Sequence, residues 1–188
     1  MNVGNVLRSW LLSLWSLLDP IYYSFTRLSY IQDHQPNIFR VRVTRYKGRE
    51  AMLSDGTTIK KDDVLIKIHL HNAKLLQELN KVTCDVKRGR FVFRRVLDSL
   101  PGLAGYIEQH PRRSEIKGIV GITTLHKGCR RLGFETYDIH NPFYRTFKYI
   151  PFLVITVLST KDFTSIKKQH PKYLFMSTEI LTSRYKVN

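Results

Sequence analysis

Apolar and polar residues alternate along two stretches in the first half of the chain. Within Ile38–Tyr46, the apolar Phe39, Val41 and Val43 alternate with basic or hydroxyl-bearing residues, and Val64–His71 follows a similar pattern. A period of two is typical of a β-strand with one buried face. Between these stretches, Ser54-Asp55-Gly56 is a hairpin signal, joining a short strand over Glu50–Leu53 to another over Thr57–Lys60. We therefore predict four strands here, two of them short.

Helical patterns dominate the middle of the chain. Asn72 is a suitable N-cap for a short helix over Ala73–Asn80. A helical period predicts a second helix over Val86–Ser99. Pro101 favours the first turn of a third helix, which we expect to run through Gln109.

Strand and helix patterns alternate again in the last third. We predict a strand over Lys117–Ile122, a helix over Thr123–Leu132 closed by Gly133, and a strand over Phe134–Ile139 that pairs in parallel with the first. A serine-capped helix is predicted over Thr178–Tyr185. The fold class is therefore α+β, a single domain with a mixed, mainly antiparallel sheet and helices packed on it.

An apolar helical pattern covers residues 5–31, with a break or kink expected at Asp19-Pro20 because proline lacks a backbone donor. The apolar run is shorter than the roughly 20 residues of a membrane-spanning helix. No small-residue cleavage site of a signal peptide follows the apolar run, so we expect the segment to be retained in the mature protein. We divide the chain into an amphipathic N-terminal segment, residues 1–35, and an α+β domain, residues 36–188.

The charge of the chain bears on the function that we predict for this N-terminal segment. The chain has 31 Lys and Arg against 15 Asp and Glu, a net charge of +16. This excess favours an anionic partner, either a membrane surface or an envelope polymer, with nucleic acid as the weaker alternative. Tryptophan prefers the boundary between water and lipid, and both tryptophans lie in the segment. The candidate membrane contacts are Leu7, Arg8, Trp10, Leu11, Leu14, Trp15 and Leu18.

We accordingly expect a peripheral protein on the inner, cytoplasmic face of the cell membrane. The alternative is that the same apolar face packs onto the domain as core, or against a second subunit. The oligomeric state stays open. The two cysteines, Cys84 and Cys129, have neither metal-site nor disulfide spacing, which is simplest to explain by a reducing compartment.

The second long strand pattern carries the candidate site. His69 and His71 are two residues apart and share one strand face. Basic neighbours disfavour a cation and favour a phosphate, carboxylate or sulfate group. The alternatives are a solvated strand face, or metal or acid–base chemistry for which His126, Asp138 or His140 would have to be brought close. The anion-binding candidates are Arg40, Arg42, Lys67, His69, His71 and Asn72.

We predict no metal and no cofactor. The sequence contains no complete catalytic signature, which favours a noncatalytic domain. The enzymatic alternative is action on a phosphorylated or acylated envelope precursor through His69 and His71.

A cluster of basic residues in the predicted 86–99 helix either grips phosphates or forms the outer face of an amphipathic helix. Its inner face would be formed by Phe93, Val96, Leu97 and Leu100. A nucleic-acid binder built this way would be sequence-independent, since no base-reading motif is present. The basic residues are Lys87, Arg88, Arg90, Arg94 and Arg95.

Several short phrases in order carry a family resemblance. They are Trp15-Ser-Leu-Leu-Asp19-Pro20, Phe39-Arg-Val-Arg-Val-Thr-Arg-Tyr-Lys-Gly48, Leu53-Ser-Asp-Gly56, Ile68-His-Leu-His-Asn72, Gly121-Ile-Thr-Thr-Leu125, Arg131-Leu-Gly-Phe134 and Ser177-Thr-Glu-Ile-Leu181. Together the chain resembles the YkoP-like family of bacterial domains over nearly its whole length. Similar domains occur alone or attached to polysaccharide deacetylase domains, which implies a link to envelope polysaccharide without assigning an activity or site residues. The chain has no deacetylase motif of its own.

Overall fold

The computed structural model describes residues 29–31, 37–71, 75, 78–79, 82, 85–124, 128–146 and 170–186. The elements whose bounds the structure defines are, in chain order, β1 (Ser29–Tyr30), β2 (Phe39–Arg45), β3 (Ala51–Met52), β4 (Thr58–Ile59), β5 (Val64–Leu70), α1 (Asp85–Glu108), a 3-10 helix (Arg113–Glu115), β6 (Ile116–Thr123), a second 3-10 helix (Cys129–Leu132), β7 (Glu135–Asp138), β8 (Lys172–Ser177) and α2 (Thr178–Tyr185).

Six of the described strands form one sheet in the order β1-β2-β5-β6-β8-β7. The pair β5–β6 is parallel, and each other neighbouring pair is antiparallel. The parallel pair is connected through α1, as a parallel connection requires a crossover. The predicted α+β fold with a mixed, mainly antiparallel sheet is therefore confirmed.

The main core lies between one face of this sheet and the helices. Strand residues such as Val41, Ile66 and Ile119 are fully buried there. The helix α1 contributes a stripe at helical spacing, and α2 contributes Leu181. Burying one such aliphatic side chain contributes roughly 1.5–3 kcal/mol. The buried stripe of α1 consists of Leu100, Leu103, Ala104 and Ile107.

The opposite sheet face carries a smaller apolar cluster under the β3–β4 hairpin. Leu65, Val120 and Phe175 are the strand neighbours of main-core residues, so alternation directs them to the other face. The hairpin covers them with Leu53 and Ile59.

Hydrogen bonds hold the hairpin against the β7–β8 edge, among them one from the Tyr137 hydroxyl to the Met52 carbonyl. The Ser54 N–H and hydroxyl both donate to Glu135 Oε1, at 2.8 and 2.7 Å. The Ser177 hydroxyl donates to Asp55. Burial acts to raise the pKa of Asp55, but hydrogen bonds from Ser177 and Thr57 outweigh it and hold that pKa below its ordinary value. The hairpin predicted from the sequence is confirmed, whereas its position on the sheet is set by tertiary contacts.

The prediction of two helices meeting at Pro101 is wrong. A single helix, α1, runs from Asp85 to Glu108 and contains Pro101. An interior proline costs about 3 kcal/mol or more. Residues before and after it, among them Leu100 and Leu103, are fully buried on the same stripe, and their burial offsets the lost hydrogen bond. Leu97, predicted on the inner face of this helix, is instead 37% exposed.

Three further predictions need correction. The end of the predicted 5–31 helix is a strand, because Ser29 and Tyr30 pair with β2. Among the described residues of the predicted 123–132 helix, Thr123 ends β6 and Cys129–Leu132 form a 3-10 helix, which Gly133 closes with φ 87°. The strands on either side, β6 and β7, do not pair, because β8 lies between them.

The C-terminal helix is as predicted. It spans Thr178–Tyr185, and the Ser177 hydroxyl accepts a hydrogen bond from the Ile180 N–H at 3.0 Å. The proposed division of the chain at residue 35 stays a prediction.

Candidate anion-binding site

The pairing of β2 with β5 brings four of the predicted site residues together. Arg40 lies directly opposite His69, and Arg42 lies directly opposite Lys67. Side chains paired in this way have Cβ atoms about 4.5–5.5 Å apart. All four share the face that carries Leu65, which is the face away from α1.

Burial distinguishes this cluster from an ordinary solvated strand face. Arg40 is only 4% exposed, and Lys67 and His69 are half-buried. The Nε atoms of Arg40 and Arg42 and the Nε2 atom of His69 are closed off from solvent. Withdrawing a charged group from water costs several kcal/mol unless an opposite charge compensates. The solvated-face alternative is therefore wrong for Arg40.

The cluster also places two cations side by side. Arg42 and Lys67 are like charges placed directly opposite each other, an arrangement that destabilises a sheet. Neither β2 nor β5 contains an acidic residue. A negative group placed over the two strands would interact favourably with both cations at once.

His71 lies at the end of the same ladder. Its N–H donates to the Ile38 carbonyl at 2.8 Å, which extends the β2–β5 pairing by one residue. Its carbonyl accepts from the Leu75 N–H at 3.0 Å, which marks the passage from strand to helix. His71 therefore follows His69 on one face, as predicted. Asn72, the last candidate of this set, lies outside the described residues.

The site continues across the sheet in straight rows. Lys67 pairs with Val120 of β6, which pairs with Phe175 of β8. With about 4.8 Å between strands, the Phe175 backbone lies roughly 10 Å from that of Lys67. The basic residues of β2 and β5 therefore adjoin the aromatic residues of β8 on one continuous face.

These aromatic rings form a packed group. The ring centroids of Tyr46 and Phe175 are 5.3 Å apart, and those of Tyr173 and Phe175 are 5.6 Å apart. Tyr144 stacks on Tyr173 at 6.5 Å. Burial first, and then the neighbouring Tyr144 and Tyr46, raise the pKa of Tyr173 well above its ordinary value. Sequence reasoning missed β8, and the apolar run before Ser177 was the available signal.

The described residues form no metal site, because no three of their His, Cys, Asp or Glu side chains lie close enough together to hold an ion. Asp138 lies on β7, with β8 and β6 between it and β5, and it pairs with Lys172 Nζ at 3.1 Å. His140 follows β7 and is exposed. His126 lies outside the described residues. Cys129 is partly buried, and burial raises the pKa of its thiol, which disfavours the reactive thiolate.

The seven candidate membrane contacts, from Leu7 to Leu18, also lie outside the described residues. Among the helices of the described ranges, none has the length and apolar character that crossing a bilayer demands.

Two comparisons with known proteins agree with each other. Residues 8–185 match the sequence model of the YkoP domain. The chain is also 45% identical over 179 residues to the Uncharacterized protein YkoP of Bacillus subtilis (strain 168), covering 95% of this chain and 98% of the relative. No solved structure matches.

Proposed function

This chain belongs to the YkoP domain family, and we propose that it is a noncatalytic domain that binds an anionic group on the β2–β5 face. One observation carries the proposal: Arg40 opposite His69 and Arg42 opposite Lys67, with Arg40 almost completely buried. Cations gathered on one face and partly withdrawn from water favour a ligand of opposite charge.

The chemistry of the four side chains defines the ligand class. Guanidinium groups bind phosphate, carboxylate or sulfate through two parallel hydrogen bonds, and an ammonium group adds a point charge. Where the side chains are withdrawn from water, these contacts are stronger than in bulk solvent. The ligand we propose is an anionic group carried by an envelope polysaccharide or its precursor, in keeping with the deacetylase association of similar domains.

Binding of inorganic phosphate tests the proposal directly. Thermal unfolding is followed while sodium phosphate replaces sodium chloride at constant ionic strength. A bound anion stabilises the folded state by about 2.7 kcal/mol at a concentration of 100 times its Kd. The unfolding midpoint should therefore rise as phosphate replaces chloride, although the ionic strength does not change. Sulfate and acetate in place of phosphate rank the ligand chemistry.

Matched variants locate the effect. Arg42→Gln and, separately, Lys67→Gln should weaken phosphate binding by about tenfold or more, since a charge-assisted bond contributes roughly 1.5–3 kcal/mol. Arg45→Gln is the control: it lies on the same strand but on the opposite face and is exposed. Equal effects of phosphate on the control and the site variants, or no stabilisation of the native chain, would refute the proposal. Turnover of a phosphate ester that His69→Gln abolishes would favour the enzymatic alternative instead.

A further inference from the structure

The first half of α1 has an exposed face that carries both cations and apolar side chains. Lys87, Arg90 and Arg94 are all exposed and recur at spacings of three and four residues, which places them on one side of the helix. Two large apolar residues on the same side are also exposed, Val86 at 72% and Leu97 at 37%. Exposed aliphatic side chains interleaved with cations are typical of a helix that lies on a membrane.

The other two basic residues of this helix serve the fold. Arg88 is 8% exposed, and its Nε–H donates to the Val82 carbonyl at 2.9 Å. Arg95 forms a two-bond ion pair with Glu78, with N···O distances of 2.6 and 3.0 Å. The two cations that bond within the protein therefore lie on one side of the helix, and the three exposed cations lie on another. Only the exposed side is available to a partner.

A second group of exposed cations lies in a turn beside α1. A Cβ atom built on Gly128 would lie 3.7 Å from the Phe93 ring, so the turn at 128–131 runs beside α1. The next residues along it, Arg130 and Arg131, are exposed. We call the exposed side of the helix the basic face of α1. It comprises Val86, Lys87, Arg90, Arg94 and Leu97.

We propose that the basic face of α1 docks the domain on an anionic lipid bilayer. Charge complementarity identifies the partner as anionic, and the two exposed aliphatic side chains favour a lipid interface over nucleic acid. The main core holds α1 against one face of the sheet, and the opposite face carries Arg40, Arg42, Lys67 and His69. Docking through α1 therefore turns the anion-binding face away from the bilayer, where a ligand reaches it from solution. This inference does not depend on the proposed anion binding.

Vesicle sedimentation of the full chain tests the surface. The probes are vesicles of phosphatidylcholine alone and of three parts phosphatidylcholine to one part phosphatidylglycerol, at physiological salt. We expect binding to the anionic vesicles only. A triple variant, Lys87→Gln, Arg90→Gln and Arg94→Gln, should weaken it by about 100-fold, because each cation near an anionic surface contributes about fivefold.

The matched control neutralises three exposed cations elsewhere, Lys47→Gln, Arg49→Gln and Lys61→Gln, in the loops around the β3–β4 hairpin. Both triple variants have the same net charge. At physiological salt, charges farther than about 8 Å from the lipid are largely screened, so the control should bind within about threefold of the native chain. An equal loss in both triple variants would show a general charge effect and overturn the proposal.

The apolar contribution has its own pair of variants. Leu97→Ser should weaken vesicle binding several-fold, whereas Met52→Ser, which alters a side chain 72% exposed on the hairpin, should leave it unchanged. Failure of the native chain to bind anionic vesicles overturns the proposal. Salt-sensitive DNA binding that the α1 triple variant loses, without vesicle binding, would assign the surface to nucleic acid instead. Phosphate stabilisation measured on the same variants should persist, which separates this proposal from anion binding on the sheet.

Discussion

Replacement of Gly118 by alanine should destabilise the protein more than a single methyl group suggests. Gly118 lies on β6, opposite Ser177 of β8, beside the irregular register between β5 and β6. A Cβ atom there would lie 2.5 Å from the Met176 carbonyl oxygen and 3.2 Å from the Ser177 Cα atom. Carbon and oxygen atoms in sheets approach to about 3.3 Å, so the strands must separate by roughly 0.8 Å.

The obstructing atoms belong to backbone, which cannot rotate away as a flexible side chain would. Overpacking of this kind costs typically 1–3 kcal/mol, and displacing β8 also strains the hydrogen bonds of the β6–β8 ladder. We therefore expect Gly118→Ala to lower the free energy of unfolding by about 3 kcal/mol. Because β8 carries Phe175 and ends at the Ser177 cap, the aromatic end of the site should loosen as well.

Gly89→Ala provides a control with the same chemical change. Gly89 is exposed within α1, and a Cβ atom there meets nothing within 4 Å. Alanine should therefore raise stability by roughly 0.5–1 kcal/mol through helix propensity. Urea unfolding followed by circular dichroism measures both. With a slope of about 2 kcal/mol/M, the midpoint of Gly118→Ala should fall by roughly 1.5 M. A midpoint equal to that of the native chain would refute the steric argument.

Three further predictions concern the hairpin and the aromatic group. Ser177→Ala should cost about 1–2 kcal/mol in urea unfolding by removing the N-cap of α2, whereas the exposed Ser183→Ala in the same helix should cost less than about 0.5 kcal/mol; similar losses would contradict the capping role. Asp55→Asn should lower stability by about 1 kcal/mol at neutral pH. Since the folded-state pKa of Asp55 lies below its unfolded value of 3.8, this difference should disappear as acid protonates the carboxyl, and a difference that persists at low pH would contradict the hydrogen-bond account. The pKa of Tyr173 in the folded state lies above its ordinary value of 10, so the contribution of the neutral side chain to stability is complete below pH 10 and decreases as the pH rises toward the folded-state pKa. Tyrosinate absorbance should therefore rise together with alkaline unfolding, and Tyr173→Phe should unfold at a higher pH than the native chain.

Local patterns were sufficient where a few neighbouring residues decide the structure. The alternation over 38–46 and 64–71 predicted β2 and β5, because a strand with one buried face needs apolar residues at every second position. The cap at Ser177 was readable for a similar reason, since its hydroxyl bonds a backbone N–H only three residues away. The helix end at Gly133 follows from its positive φ.

The errors arose where distant residues decide. Pro101 signals a helix start by itself, and only burial of the flanking residues against the sheet explains why α1 continues through it. The strand β8 inserts between β6 and β7 by pairing with residues about 55 and 40 positions earlier, respectively. No local pattern encodes which strand takes that place.

The candidate site shows both contributions. By itself, the sequence determined that basic residues share one face of β2 and that His69 and His71 share one face of β5, because side chains alternate along a strand. Only the tertiary structure decided that these two faces coincide, that Arg40 stands opposite His69 and that Arg40 is withdrawn from water. Register and burial depend on the packing of the whole sheet, in which each strand is positioned by its neighbours and not by its own residues.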